Sequence, residues 1–165
     1  MIRRMFLAAA ALVGAASLSS CATFSNHGVA AKVDNTTLSQ HDLEVLTTTY
    51  LANEIAGATS SSPLPTAQLQ RNLLTIWVLT TGLSTAGAVS QAEIDAAMSS
   101  GPATHKNSWV SAPPEVQKMV AIWDAIQGAQ LSITDGTAAM SKFKVSVDSR
   151  NGWWDSANLK VTAFG

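Results

Sequence analysis

Cys21, His27, His41 and His105 are the side chains best suited to ligate a metal or act as nucleophile or base. Their spacing argues against most of that chemistry. The three histidines stand at no metal-ligand interval, no HExxH occurs, and Cys21 is the only cysteine. His27 falls in a polar tether, His41 in a first helical turn and His105 in a loop, where solvated imidazoles are expected. Asp42 with Glu44, and Glu93 with Asp95, sit two apart and so point to different sides of a helix, unlike a general acid and base that share a substrate. There is no glycine-rich phosphate loop and no G-x-S-x-G element. These absences predict a protein that is not an enzyme and needs no metal or cofactor.

Cys21 has a different chemistry. Arg3 and Arg4 form a positive head, Phe6 to Leu18 is an apolar run, and Leu18-Ser19-Ser20-Cys21 closes it as a lipobox does. The expected organisation is a signal peptide over 1–20, a lipidated Cys21 with a short tether over 21–28, and one domain over 29–165. Arg3-Arg4-Met5-Phe6-Leu7 also resembles the twin-arginine export motif, so both that route and the general secretory route stay open. A single thiol cannot form an internal disulfide. The expected location is extracytoplasmic, held at the cell membrane by lipid. Lys and Arg number 10 against 11 Asp and Glu and are scattered, which excludes nucleic acid as a partner because phosphate binding needs clustered cations.

The element carrying most of the core is Arg71 to Val89. Leu69, Leu73, Ile76, Trp77, Thr80, Leu83 and Gly87 recur at helical spacing, and Leu74, Val78 and Leu79 widen the stripe beyond one face, as in a helix surrounded by others. From Asn72 to Ala92 no charge occurs, long enough to span a bilayer, but its threonines, serines and glycines lower the drive to insert. Ahead of it, Val29 to Val33 reads as a strand and Asp34 to Thr37 as a turn. A helix then starts at the Ser39 cap with Leu43, Leu46, Tyr50 and Leu51 facing inward, running to about Ala56. After it, Ser90 and Glu93 form a capping box for a short helix ending near Ser99, and Ser100 to Ala112 reads as a loop displaying Trp109 and Val110. Pro113 and Pro114 fit the first turn of a further helix with Val116, Met119, Val120, Trp123, Ile126 and Gln130 on its stripe. A last helical piece spans about Asp135 to Phe143. Phe143, Val145 and Val147 then alternate as a strand, Leu159, Val161 and Ala163 alternate again, and pairing with Val29 to Val33 would tie the chain ends together.

Several of these segments, in this order, resemble the SurA N-terminal domain family. They are Val33-Asp34-Asn35 followed by Leu38-Ser39-Gln40-His41-Asp42, then Arg71-Asn72-Leu73-Leu74 with its apolar run, then Val89-Ser90-Gln91-Ala92-Glu93-Ile94. The tail Val145 to Asp155 is similar to the ending of lipoprotein members. Thr36, Ser149 and Asn151 depart from the Gly, Pro and Tyr usual there, and no segment could hold a parvulin prolyl-isomerase domain. The resemblance implies a mostly α, SurA/trigger-factor-type peptide-binding helical domain with a small β-sheet pairing the N- and C-terminal segments. It implies a membrane-anchored lipoprotein that holds unfolded or newly exported polypeptides without isomerase chemistry; the alternative is a non-catalytic envelope lipoprotein with one specific protein partner. Aromatic and Met side chains suit adaptable apolar contacts. Trp109, Met98, Met119 and Trp123 are therefore the candidate peptide-binding residues, with Trp109 the foremost because it is expected to be exposed.

Overall fold

In the computed structural model, which describes residues 28–165, the chain is organised around α3, Thr66–Thr85. The expected signal peptide, Cys21 and all of the tether except Gly28 lie outside the described residues. Leu73, Leu74 and Val78 of α3 are fully buried. At about 1.5–3 kcal/mol for each large apolar side chain removed from water, this helix contributes more buried apolar residues than any other element. Its cover comes from both chain ends: β1 (Val29–Val33), α1 (Gln40–Thr48), α2 (Tyr50–Ile55), α5 (Pro114–Gly128), α6 (Ile133–Met140) and β5 (Lys160–Thr162) all pack on it. Two polar side chains of α3 bind distant backbone. Asn72 donates to the Ala56 carbonyl at the end of α2 (2.9 Å), and Thr75 Oγ1 accepts from the Val161 N–H of β5 (2.8 Å).

Most of the described chain is helical, with a small antiparallel sheet of order β2-β1-β3, in which β2 is Thr36–Ser39 and β3 is Val145–Val147. Ala31 opposes Val147 and Val33 opposes Val145, so the chain ends do pair. The expected return from the first turn straight into a helix is corrected. Asp34 takes a positive φ of 49°, and Thr36–Ser39 forms a strand of its own against β1 before α1 begins. The second half of the tail also stays out of this sheet. The Asp155 carboxylate accepts from the N–H groups of Ala157 and Asn158, a side-chain turn that folds β5 back onto β4, Trp153–Asp155.

Two helices differ from expectation. The first breaks at Thr49, whose ψ is 119°, because three consecutive threonines turn their hydroxyls back to the Glu44 and Val45 carbonyls. Tyr50 is consequently 54 % exposed and does not face the core. The helix opened by the Ser90–Glu93 capping box does not end near Ser99. It continues as α4, Gln91–Ser111, through Pro102 and a non-helical Lys106 (φ 52°, ψ −127°). Holding a non-glycine residue there costs on the order of 1–3 kcal/mol. Tertiary packing maintains it: the bare Cα of Gly101 lets the Trp109 ring lie against the helix, and a Cβ at Gly101 would stand 2.4 Å from that ring.

Candidate functional site

A groove runs between α1, α3 and α5 with a volume of about 480 Å³, within the range of ligand-binding clefts. Leu38, Val45 and Leu46 form one wall, Trp77 and the hydroxyl side of α3 the floor, and Val116, Met119 and Ile122 the other wall. The hydroxyls arise because Thr80, Thr81, Ser84 and Thr85 occupy the last turns of an otherwise apolar helix. Thr80 donates to the Trp77 carbonyl (3.1 Å), Ser84 to Thr80 (2.5 Å) and Thr85 to Thr81 (2.7 Å). With those protons committed to the helix, these three hydroxyls offer the groove lone pairs. Asp42, Glu115 and Lys118 complete the lining. Such a surface accepts apolar side chains with little demand for one shape, and its acceptors suit the N–H groups of an extended chain.

On the side of α4 a second cluster is built from charge. His105 is 9 % exposed, and its Nδ1 lies 3.3 Å from Glu54 Oε1 of α2, its Nε2 2.9 Å from Asp124 Oδ2 of α5. Carboxylates accept hydrogen bonds, so a ring protonated on both nitrogens satisfies both partners at once. Ser108 Oγ donates to the other oxygen of Glu54 (2.9 Å) and contacts the His105 carbonyl. Trp109 stacks on the imidazole at 5.8 Å between ring centroids and 12° between planes. Burial disfavours the charged ring, but the hydrogen bonds and charges of Asp124 and then Glu54 outweigh it and hold the His105 pKa above the ordinary imidazole value. With both nitrogens engaged, the ring has no position open for general-base work. Among the described residues no group of His, Cys, Asp and Glu could hold a metal ion.

The four expected peptide-binding residues are not brought together. Met119 alone lines the groove, at 8 % exposure. Trp109, expected to be displayed in a loop, is 5 % exposed and helical, sealed between Gly101 and His105. Met98 and Trp123 are half-buried against the core and do not line the groove. Trp77, whose spacing marked it as core, is half-buried on the groove floor. His105, expected to be solvated, is the most completely partnered histidine described, and its partners Glu54 and Asp124 carried no spacing signal because they come from separate helices. No helix among the described residues is long and apolar enough to cross a membrane. No protein-family model, curated protein or solved structure matches this chain.

Proposed function

We propose that this protein is a SurA N-terminal-type helical module, extracytoplasmic and anchored to the cell membrane by lipid on Cys21. It holds unfolded or newly exported polypeptides in the groove between α1, α3 and α5 and performs no isomerase or other chemistry. The observation that carries the reading is the groove itself: an open, mainly apolar groove of about 480 Å³ lined by Val45, Trp77, Met119 and Ile122 among others, with polar side chains confined to hydroxyls and the three charged residues. Apolar, adaptable walls tolerate many sequences, which a holding function needs and a dedicated site does not. The ordered likeness of the capping and tail segments to the SurA N-terminal domain family supports the same reading.

Two measurements test it. Tryptophan fluorescence of the chain from Ala22 onward, titrated with a permanently unfolded protein, changes saturably, while the folded form of the same protein gives no change. Trp77→Phe removes the response and Trp123→Phe retains it. Absence of response to several unfolded chains sinks the holding function and leaves the alternative of one dedicated envelope partner. For the anchor, Cys21→Ser moves the expressed protein from the membrane fraction to the soluble one; a variant that stays on the membrane refutes lipidation at Cys21.

A further inference from the structure

We propose that Glu54, His105 and Asp124 form a pH-operated latch on the kink of α4, which seats residues 106–111 while His105 is protonated and releases them when that proton is lost. This device is independent of the groove and of its occupant.

The geometry supplies the parts of a two-state element. One ring bridges two helices: Nδ1 reaches Glu54 of α2 and Nε2 reaches Asp124 of α5. Immediately after the ring, Lys106 holds a backbone conformation (φ 52°, ψ −127°) that L-residues rarely adopt. Beyond it, Ser108 is tied to the same Glu54 carboxylate and Trp109 is stacked on the same imidazole. A strained backbone is therefore bounded on both sides by contacts that converge on one titratable ring. Removing a proton leaves a neutral imidazole with a single N–H. One of its nitrogens then presents a lone pair to a carboxylate, and that contact becomes repulsive. The bridge between α2 and α5 opens, and Lys106 is free to relax.

The charges facing His105 are few. Glu54 is the only charged residue of α2, and on α5 the other two, Glu115 and Lys118, line the groove. On α4 itself the nearest in sequence is Lys106, which is exposed. Burial works against the charged ring and the carboxylates of Asp124 and Glu54 work for it, the latter prevailing. The latch accordingly closes as pH falls and opens as pH rises. Glu54 and Asp124 are partly open to solvent, with side chains 37 % and 31 % exposed, so proton exchange needs no large opening.

Amide hydrogen exchange on the full-length protein tests this, read as protection of residues 106–112 relative to α3 so that the intrinsic pH dependence of exchange cancels. Between pH 6 and pH 9 the protection of 106–112 should fall by about tenfold or more, since each pH unit changes the deprotonated fraction of one group by up to tenfold. The midpoint should coincide with the His105 ring titration followed by NMR. In His105→Gln the fall is absent. Asp124→Asn, which keeps an acceptor but removes a charge, shifts the midpoint to lower pH and carries the test if His105→Gln does not fold. Constant relative protection in the wild type, an identical fall in His105→Gln, or a midpoint unrelated to the ring titration would overturn the latch.

Discussion

α5 has two unlike sides. Toward α1 and α3 it lines an open groove with Val116, Met119 and the partly exposed Ile122, where a partner could replace water. Toward α2 and α4 it presents Asp124 to a junction where the His105 ring is buried between two carboxylates. The first side gains by being covered from outside, the second by being left undisturbed. An apolar surface keeps its favourable transfer energy whatever covers it, whereas a buried charge is stable only with its own partners in place. Substitutions at the junction should therefore act on stability and pH response, and those in the groove on binding.

The largest effect should come from Trp109→Ala. Truncating a large buried side chain costs about 3–5 kcal/mol, visible as a drop in the denaturant midpoint, yet at low temperature the folded fraction should bind unfolded chains as the wild type does. Selective loss of binding in a stable Trp109→Ala protein would restore Trp109 as a client contact and break the division. Gly101→Ala comes next. A Cβ there meets the rigid indole 2.4 Å away, so we expect about 1–3 kcal/mol of destabilisation from overpacking, measurable by thermal melting; a neutral result would mean the ring is not seated as described.

His105→Gln sharpens the electrostatic half. The folded pKa of His105 is raised, so its contribution to stability is fully present below about 6.5, the ordinary imidazole value, and is lost as pH rises through the folded value. Chemical unfolding from pH 5.5 to pH 9 should show wild type and His105→Gln converging at the alkaline end, with a gap of about 1–2 kcal/mol at the acid end, discounted because both carboxylates are partly solvated. A gap that widens with pH would reverse the assignment. Smallest in stability is Val45→Ser: at 42 % exposure on the groove wall it should alter unfolding by no more than about 0.5 kcal/mol while weakening capture of unfolded chains several-fold. A variant with unchanged capture would remove α1 from the binding surface.

Much of the framework was legible because its signals are local. The Ser39–Asp42 and Ser90–Glu93 caps form as reciprocal hydrogen bonds, Pro113 and Pro114 open α5, and the wide stripe from Leu69 to Leu83 is buried as its breadth required. Such features depend on residues within four positions of one another. The differences arise where one signal along the chain is overridden by another local one or by a partner further along. Gly101-Pro102 reads as a loop by punctuation, yet Gly101 serves as the flat seat for a tryptophan eight residues on. Tyr50 continued the stripe of the first helix until the break at Thr49 rotated it outward.

The same distinction separates the two sites. By itself the sequence determined the helical character, most helix starts, the surrounded central helix and the strand character of Val29–Val33 and Val145–Val147, because periodicity and capping are properties of neighbours along the chain. Only the tertiary structure decided that Trp77 and Met119 share a groove while Trp109 is sealed away, and that His105 draws Glu54 from 51 positions before it and Asp124 from 19 positions after it. Those contacts exist because α2, α4 and α5 are packed together, and no spacing rule along one helix specifies which residue of another will meet it.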